Sequence, residues 1–303
     1  MMKTGERMMF NLVFRIILDT FIILLAVSLI VSWRAVMPGR LPISLRPEDL
    51  GLSAENVKLV NKEGIVLSGW FIPAVRPQAV IICLHGYPAN KSDILPSVVF
   101  LQQYFSLLLF DFRGQGESGG RLIYFGLKET YDVKAALDFL QENPGTKDLP
   151  VGIWGYSLGA AVAILTAAMD KRIKAVVSDS AFASFPEMVS YYYRGSGFLR
   201  YLLAPLSRLM GKIFLRADFT RNSPECLVSR VECPLLIIHS LQDEYVPPDH
   251  ARRLFEKAKA PKELFWKSGS HSGSTSDRDL YEEKVLSFFR KALSDKEKKT
   301  GGG

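Results

Sequence analysis

The chain has 303 residues, an apolar fraction of 48% and a formal net charge of +7. This length suits one large α/β domain carrying an insertion, with ample material for a buried core. Cys83, Cys226 and Cys233 are an odd set with no metal-ligand spacing, and no basic–aromatic pattern is present. The residues therefore argue against a disulfide framework, a zinc site and a nucleic-acid partner, and no metal or cofactor is expected.

From Phe10 to Trp33 the chain is almost continuously apolar. As a helix it would reach about 36 Å at about 1.5 Å per residue, enough for a hydrocarbon core of about 30 Å. Arg15 and Asp19 are four apart and can pair, and Arg15 can snorkel to an interface. Trp33 and Arg34 suit the opposite boundary. Residues 1–36 are thus read as an N-terminal membrane anchor, with the membrane met through residues 10–33. A signal-like segment with its apolar core at Phe21–Val31 competes, but lacks a small-x-small cleavage site. A helix packed on the domain is the third reading. Flanking charges (Lys3, Arg7 and Arg15 against Arg34, Arg40 and Arg46) do not fix the orientation. The short amino terminus leans towards a catalytic domain outside.

Residues 37–54 are a Pro-punctuated linker. Val57–Val60 and Ile65–Ile72 then make a hairpin about the turn Lys62-Glu63-Gly64, and Val80–Leu84 reads as a buried parallel strand. Helical material at Lys91–Tyr104, a strand at Leu107–Phe110 and a helix within Leu127–Leu140 follow. Further strands are expected at Ile173–Val177, Leu235–Ile238 and Glu263–Trp266, with helices at Pro248–Lys259 and Asp277–Leu293. This is the pattern of a mostly parallel sheet with helices on both faces, class α/β. Residues 182–232 contain no strand-like run and read as a helical lid. The domain spans 55–292, and 293–303 is a solvated tail.

The stretch Gly155-Tyr156-Ser157-Leu158-Gly159 joins an apolar strand to an Ala-rich helix. That is the context of a nucleophile elbow, in which a sharp turn exposes the serine hydroxyl. The helix start turns unpaired N–H groups and the positive dipole end to the site, so the Leu158 amide can donate to an oxyanion.

A serine hydroxyl needs a base. His239 ends a strand and is expected to be buried on a backbone partner, and His250 at a helix start to be exposed. His271 lies in a Gly/Ser-rich loop, Lys267 to Gly273, that can carry an imidazole over the sheet edge, and is the favoured general base. Asp243, after the strand at Leu235–Ile238, is the favoured acid to orient that imidazole. Glu244 and Asp179 are the alternatives, Asp179 the stronger.

The order Ser157, Asp243, His271 resembles that of the α/β-hydrolases. Leu84-His85-Gly86-Tyr87 resembles the family's oxyanion loop, and Asp111 to Ser118 its D-x-R-G-x-G-x-S loop. His239 to Pro247 is similar to its H-G-x-x-D-x-x-V-P segment, with Ser240 for the usual Gly. His271 follows Ser268-Gly269-Ser270 where G-x-G is usual. The likeness spans about residues 55–292 and is closest to membrane-tethered α/β-hydrolase-domain proteins related to the prolyl oligopeptidase and dienelactone hydrolase branches. It implies an α/β-hydrolase fold, oxyanion donors from the backbones of Tyr87 and Leu158, and a structural role for Asp111 and Arg113. The expected function is a serine hydrolase acting on carboxylic esters or acyl thioesters through an acyl-enzyme. A serine aminopeptidase-like peptidase and a non-catalytic scaffold on the same fold are the alternatives.

The aromatic lid (Tyr191 to Tyr193, Phe198 to Leu203) suggests an apolar acyl group, though the substrate-binding residues stay open. Arg208, Lys212 and Arg216 share one helical face. That face is either solvated or lies on an anionic membrane surface, a second membrane contact through the basic lid helix.

Overall fold

The computed structural model describes residues 4–216, 218–259, 261–271 and 277–294. The expected tail from position 295, and Ser272 and Gly273 of the histidine loop, lie outside the described residues. Eight strands form one sheet: β1 Glu55–Val60, β2 Val66–Ile72, β3 Val80–Leu84, β4 Ser106–Phe110, β5 Val151–Tyr156, β6 Ile173–Asp179, β7 Leu235–Ser240 and β8 Lys262–Lys267. Their order is β1-β2-β4-β3-β5-β6-β7-β8. β1 and β2 pair antiparallel, as do β2 and β4, and the pairs from β4 to β8 are parallel.

The helices are α1 Thr4–Val36, α2 Lys91–Val98, α3 Glu129–Glu142, α4 Leu158–Ala167, α5 Phe185–Tyr192, α6 Arg200–Leu215, α7 Pro224–Leu227, α8 Asp249–Lys257 and α9 Arg278–Leu293. Strand side chains alternate between two cores, as the period of two requires. On one face Val80, Ile82 and Leu84 pack with Val133 and Ala136 of α3 and Val162 of α4. On the other, Ile81 and Cys83 pack with Leu95 of α2 and Val285 and Phe289 of α9. An α/β-hydrolase fold results, with the C-terminal ends of β3, β5, β6, β7 and β8 along one rim.

Between β6 and β7 the described chain carries helices and turns, principally α5 and α6. Phe185 of α5 stacks on Phe125 at 4.1 Å between centroids, and the tilted Phe219 ring lies 4.8 Å from Phe185. These rings tie the insertion to the sheet side of the molecule.

Helix α1 is long and apolar enough to cross a membrane, a property that an N-terminal signal sequence shares. It is exposed from Gly5 to Ile23, and its last part packs on the insertion. Leu24 and Val31 lie against a small core of Tyr193, Leu203 and Ala204. Ser28 and Ser32, one turn apart, are buried there, and small residues so spaced let two helices approach closely. Trp33 meets Phe214 of α6 edge-on at 6.1 Å.

The linker is packed on the domain. The Arg40 guanidinium donates to the carbonyls of Gly116 at 2.8 Å and Gly120 at 2.9 Å, and also to that of Ser118. The amide of Leu45 donates to Ser92 Oγ at 2.8 Å.

Candidate active site

Strand β5 ends at Tyr156 and α4 begins at Leu158, leaving Ser157 alone to make the turn, with φ 52° and ψ −111°. Backbone strain of this kind costs about 1–3 kcal/mol and persists only where the surroundings enforce it. They do so here through two glycines. A β-carbon on Gly155 would lie 2.7 Å from the Ala160 nitrogen. One on Gly159 would lie 2.7 Å from the His85 carbonyl oxygen and closer still to that of Leu84. The first and last glycines of the motif thus let the helix start sit against its own strand and against the end of β3.

His271, after β8, brings Nε2 to 3.0 Å from Ser157 Oγ and Nδ1 to 2.6 Å from Asp243 Oδ2. Its ring is only slightly exposed, with an accessible side-chain fraction of 11%, and the Asp243 side chain is fully buried. Asp243 follows β7. Its other oxygen, Oδ1, accepts the amides of Tyr245 at 2.9 Å and Val246 at 2.7 Å. Burial pushes this carboxyl up, but the hydrogen bonds from His271 and Val246 outweigh it and hold the acid below its ordinary value. An ionised carboxylate behind a neutral imidazole is what a serine's proton acceptor needs.

Two contacts hold the His271 backbone. Its amide donates to Glu244 Oε2 at 3.1 Å, and its carbonyl accepts the Tyr156 hydroxyl at 2.6 Å. Burial and the nearby carboxylates raise the Tyr156 phenol above its ordinary value, so it stays a donor. Glu244 therefore meets the histidine's backbone, not its ring. Asp179, the stronger alternative acid, is committed elsewhere: it accepts from Lys267 Nζ at 2.7 Å and from the Tyr281 hydroxyl at 2.9 Å.

Gly86 lies against Ser157, since a β-carbon there would be 3.3 Å from Ser157 Cβ. His85 fixes the peptide that follows. Its Nε2 accepts the Phe112 amide at 3.0 Å, so Nδ1 carries the proton and donates to the Gly86 carbonyl at 2.7 Å. Burial lowers the pKa of this ring, in keeping with the neutral tautomer. In a trans peptide the carbonyl and the next N–H point opposite ways. Holding the Gly86 carbonyl on His85 thus aims the Tyr87 amide away from it. Among the described residues nothing accepts from the Tyr87 or Leu158 amides.

The other histidines divide. His239 is buried and donates from Nε2 to the Val246 carbonyl at 2.9 Å, as expected for the end of a strand. His250 is a correction: it is buried, not exposed, because Nδ1 accepts the Ala183 amide at 3.0 Å and ties α8 to the start of the insertion. Burial takes its pKa down to about 4. Asp111 and Arg113 lie beneath the site in buried pairs, Asp111 with Lys91 at 2.6 Å and Arg113 with Asp132 at 2.7 Å.

A cavity of about 770 Å³ lies beside the site, with Tyr87 and Tyr245 among its lining residues. The Tyr245 ring lies 5.6 Å from that of His271. Phe125, Phe185 and Phe219 line its inner part, and the last turns of α1, from Ile30 to Val36, form one wall. Motif reading could not find that wall, because nothing within residues 30–36 signals a pocket and only the docking of α1 on α6 brings it there. A wider depression of about 1360 Å³, bordered by Pro150, Ile173, Pro234 and Lys262, lies at the opposite, N-terminal ends of the strands, away from Ser157.

A family model described as serine aminopeptidase, S33, matches residues 75–230. The YfhR protein of Escherichia coli K12 is 31% identical over 253 residues, covering 80% of this chain and 82% of its own. YqkD of Bacillus subtilis is 32% identical over 235 residues, covering 75% and 76%. Among solved structures, the esterase Pf2001 of Pyrococcus furiosus superposes with a TM-score of 0.73 at 25% identity, over 86% of this chain and 98% of that one. With its sheet order, its elbow and these relatives, the chain belongs to the serine aminopeptidase S33 family of α/β-hydrolases.

Proposed function

We propose that the chain is a membrane-tethered serine hydrolase that cleaves carboxylic esters or acyl thioesters through an acyl-enzyme on Ser157. The observation that carries this reading is the single imidazole of His271, bonded to Ser157 Oγ at 3.0 Å on one nitrogen and to Asp243 at 2.6 Å on the other. As Oγ attacks the acyl carbon, Nε2 takes its proton. The carbonyl electron pair moves onto oxygen, where the amides of Tyr87 and Leu158 receive it, each worth about 3 kcal/mol in the transition state. Asp243 holds Nδ1–H and stabilises the imidazolium. The tetrahedral species then expels the alcohol or thiol, which leaves with the proton from Nε2. Water repeats the sequence on the acyl-enzyme: its proton goes to Nε2, its oxygen to the acyl carbon, and the proton returns to Ser157 as the acid departs. The aromatic cavity beside Tyr87 suits an apolar acyl group, and the insertion from 182 to 232 acts as its lid.

The family's description raises the peptidase alternative, in which the site would hold a substrate ammonium. The charged side chains lining the cavity weigh against that: Arg34, Arg194, Arg208 and Lys212 face one acid, Asp218. The exposed apolar surface of α1, from Met8 to Ile23, supports its role as the tether.

A fluorophosphonate probe should label the wild-type protein and not Ser157→Ala. A p-nitrophenyl ester series beside acyl thioesters and aminoacyl amides would then rank the substrates. Folded wild-type protein that takes no label would favour the non-catalytic scaffold.

A further inference from the structure

Three features of the cavity have no part in the chemistry at Ser157: its wall is the tether, its mouth is apolar, and its rim is basic. Ile30 and Leu209 both line the cavity and are exposed, at 63% and 50%, so they mark its mouth between α1 and α6. The mouth lies at the end of α1 where the chain leaves the helix for the domain. From Ile30 to Val36 is about 9 Å along a helix, so with residues 10–33 in the bilayer this wall sits at the boundary of hydrocarbon and headgroups.

The insertion is oriented to match. The Leu203 and Ala204 end of α6 packs near Leu24, deeper along α1, while Phe214 meets Trp33 nearer the exit. Phe198, Tyr201 and Leu202, at or beside the deep end, are exposed by 74%, 68% and 51%. Arg200, also at that end, donates to the Tyr201 hydroxyl at 2.6 Å. Arg208 and Lys212 lie further along α6, towards the exit, and with Arg34 they border the cavity. Among the described residues no carboxylate lies within ion-pair distance of these three cations.

Resting on the hydrolase and tether readings above, we infer that the substrate is an acyl ester of a phospholipid with a net-anionic headgroup, which enters sideways from the bilayer between α1 and α6. The acyl chain passes Ile30 and Leu209 into the aromatic cavity and brings its ester carbon to Ser157. The phosphate stays at the rim, on Arg34, Arg208 and Lys212. The reaction is the hydrolysis already written: the acyl C–O bond breaks, water adds across it, and fatty acid and deacylated lipid leave.

The test uses the full chain reconstituted in vesicles, with fatty-acid release as the readout. Phosphatidylglycerol in the same vesicles should be cleaved at least about tenfold faster than phosphatidylcholine, and than phosphatidylglycerol supplied in separate vesicles. Arg208→Glu with Lys212→Glu should lower the phosphatidylglycerol-to-phosphatidylcholine rate ratio by about tenfold or more. Equal rates from the same and separate vesicles, or a ratio unmoved by the charge reversal, would overturn the inference. So would proteoliposomes that turn over p-nitrophenyl butyrate but neither phospholipid, and the hydrolase reading would then stand. Loss of both p-nitrophenyl butyrate turnover and probe labelling in the wild type would remove that reading as well.

Discussion

Asp243→Asn tests the proton relay in a way that the surroundings of the side chain make definite. Oδ1 accepts two backbone amides, from Tyr245 at 2.9 Å and Val246 at 2.7 Å. An asparagine must put its oxygen there, since an NH₂ group would face two donors. Its NH₂ group then takes the place of Oδ2, 2.6 Å from His271 Nδ1. The imidazole must accept on Nδ1 and so carry its proton on Nε2, the nitrogen facing Ser157 Oγ. The base is in place but already protonated. A wrong tautomer behind intact geometry costs about 10⁴ in kcat in the serine-protease precedent, or about 5.5 kcal/mol. The assay is steady-state hydrolysis of p-nitrophenyl butyrate, with thermal melting to confirm the fold. A variant within about tenfold of wild type, with Asp179→Asn the inactive one, would refute the assignment of the acid.

Three further outcomes follow from the site and its supports. Gly159→Ala forces a methyl group against the carbonyls of Leu84 and His85; it should destabilise the fold by about 3 kcal/mol or more, seen as a lowered urea midpoint with probe labelling lost. Tyr156→Phe removes the donor to the His271 carbonyl; with about 1 kcal/mol of positioning lost, kcat should fall about fivefold with the melting temperature nearly kept, and unchanged kcat would mean the loop needs no such support. His250 has its pKa pushed down from 6.5 to about 4 by burial, so the unfolded chain binds the proton more readily. The contribution is full above about pH 6.5 and is lost as pH falls towards 4, at most about 3 kcal/mol. Urea unfolding from pH 7 to 4 should show this loss, and His250→Gln should flatten it; an equally steep profile in the variant would assign the acid sensitivity to other groups.

What the sequence discloses here is what short spacing encodes. The elbow is legible because two glycines, a serine and a strand-to-helix change lie within a few residues, and the crowding at Gly155 and Gly159 is the reason for them. The strands are legible because five-residue runs such as Val80–Leu84 are apolar throughout and buried on both faces. The choice between Asp179 and Asp243 is not a local property. Both follow parallel strands, and what separates them is that Lys267 and Tyr281, 88 and 102 residues further on, close over Asp179. His250 reads as exposed because its helix is polar, yet its partner is the Ala183 amide, 67 residues away. The cavity wall on α1 is hidden for the same reason: an apolar helix looks alike whether it faces lipid, protein or substrate.

Arg40 gathers the carbonyls of Gly116, Ser118 and Gly120 just beyond the end of α1. The helix is thereby bolted to the catalytic body and cannot swing like a leash. Removing residues 1–36 to obtain a more tractable protein would therefore do more than take away an apolar helix. It would strip one side from the chamber next to Ser157 and leave α6 without its companion. Preferences recorded on such a shortened chain would describe a broader, more permissive enzyme than the whole one.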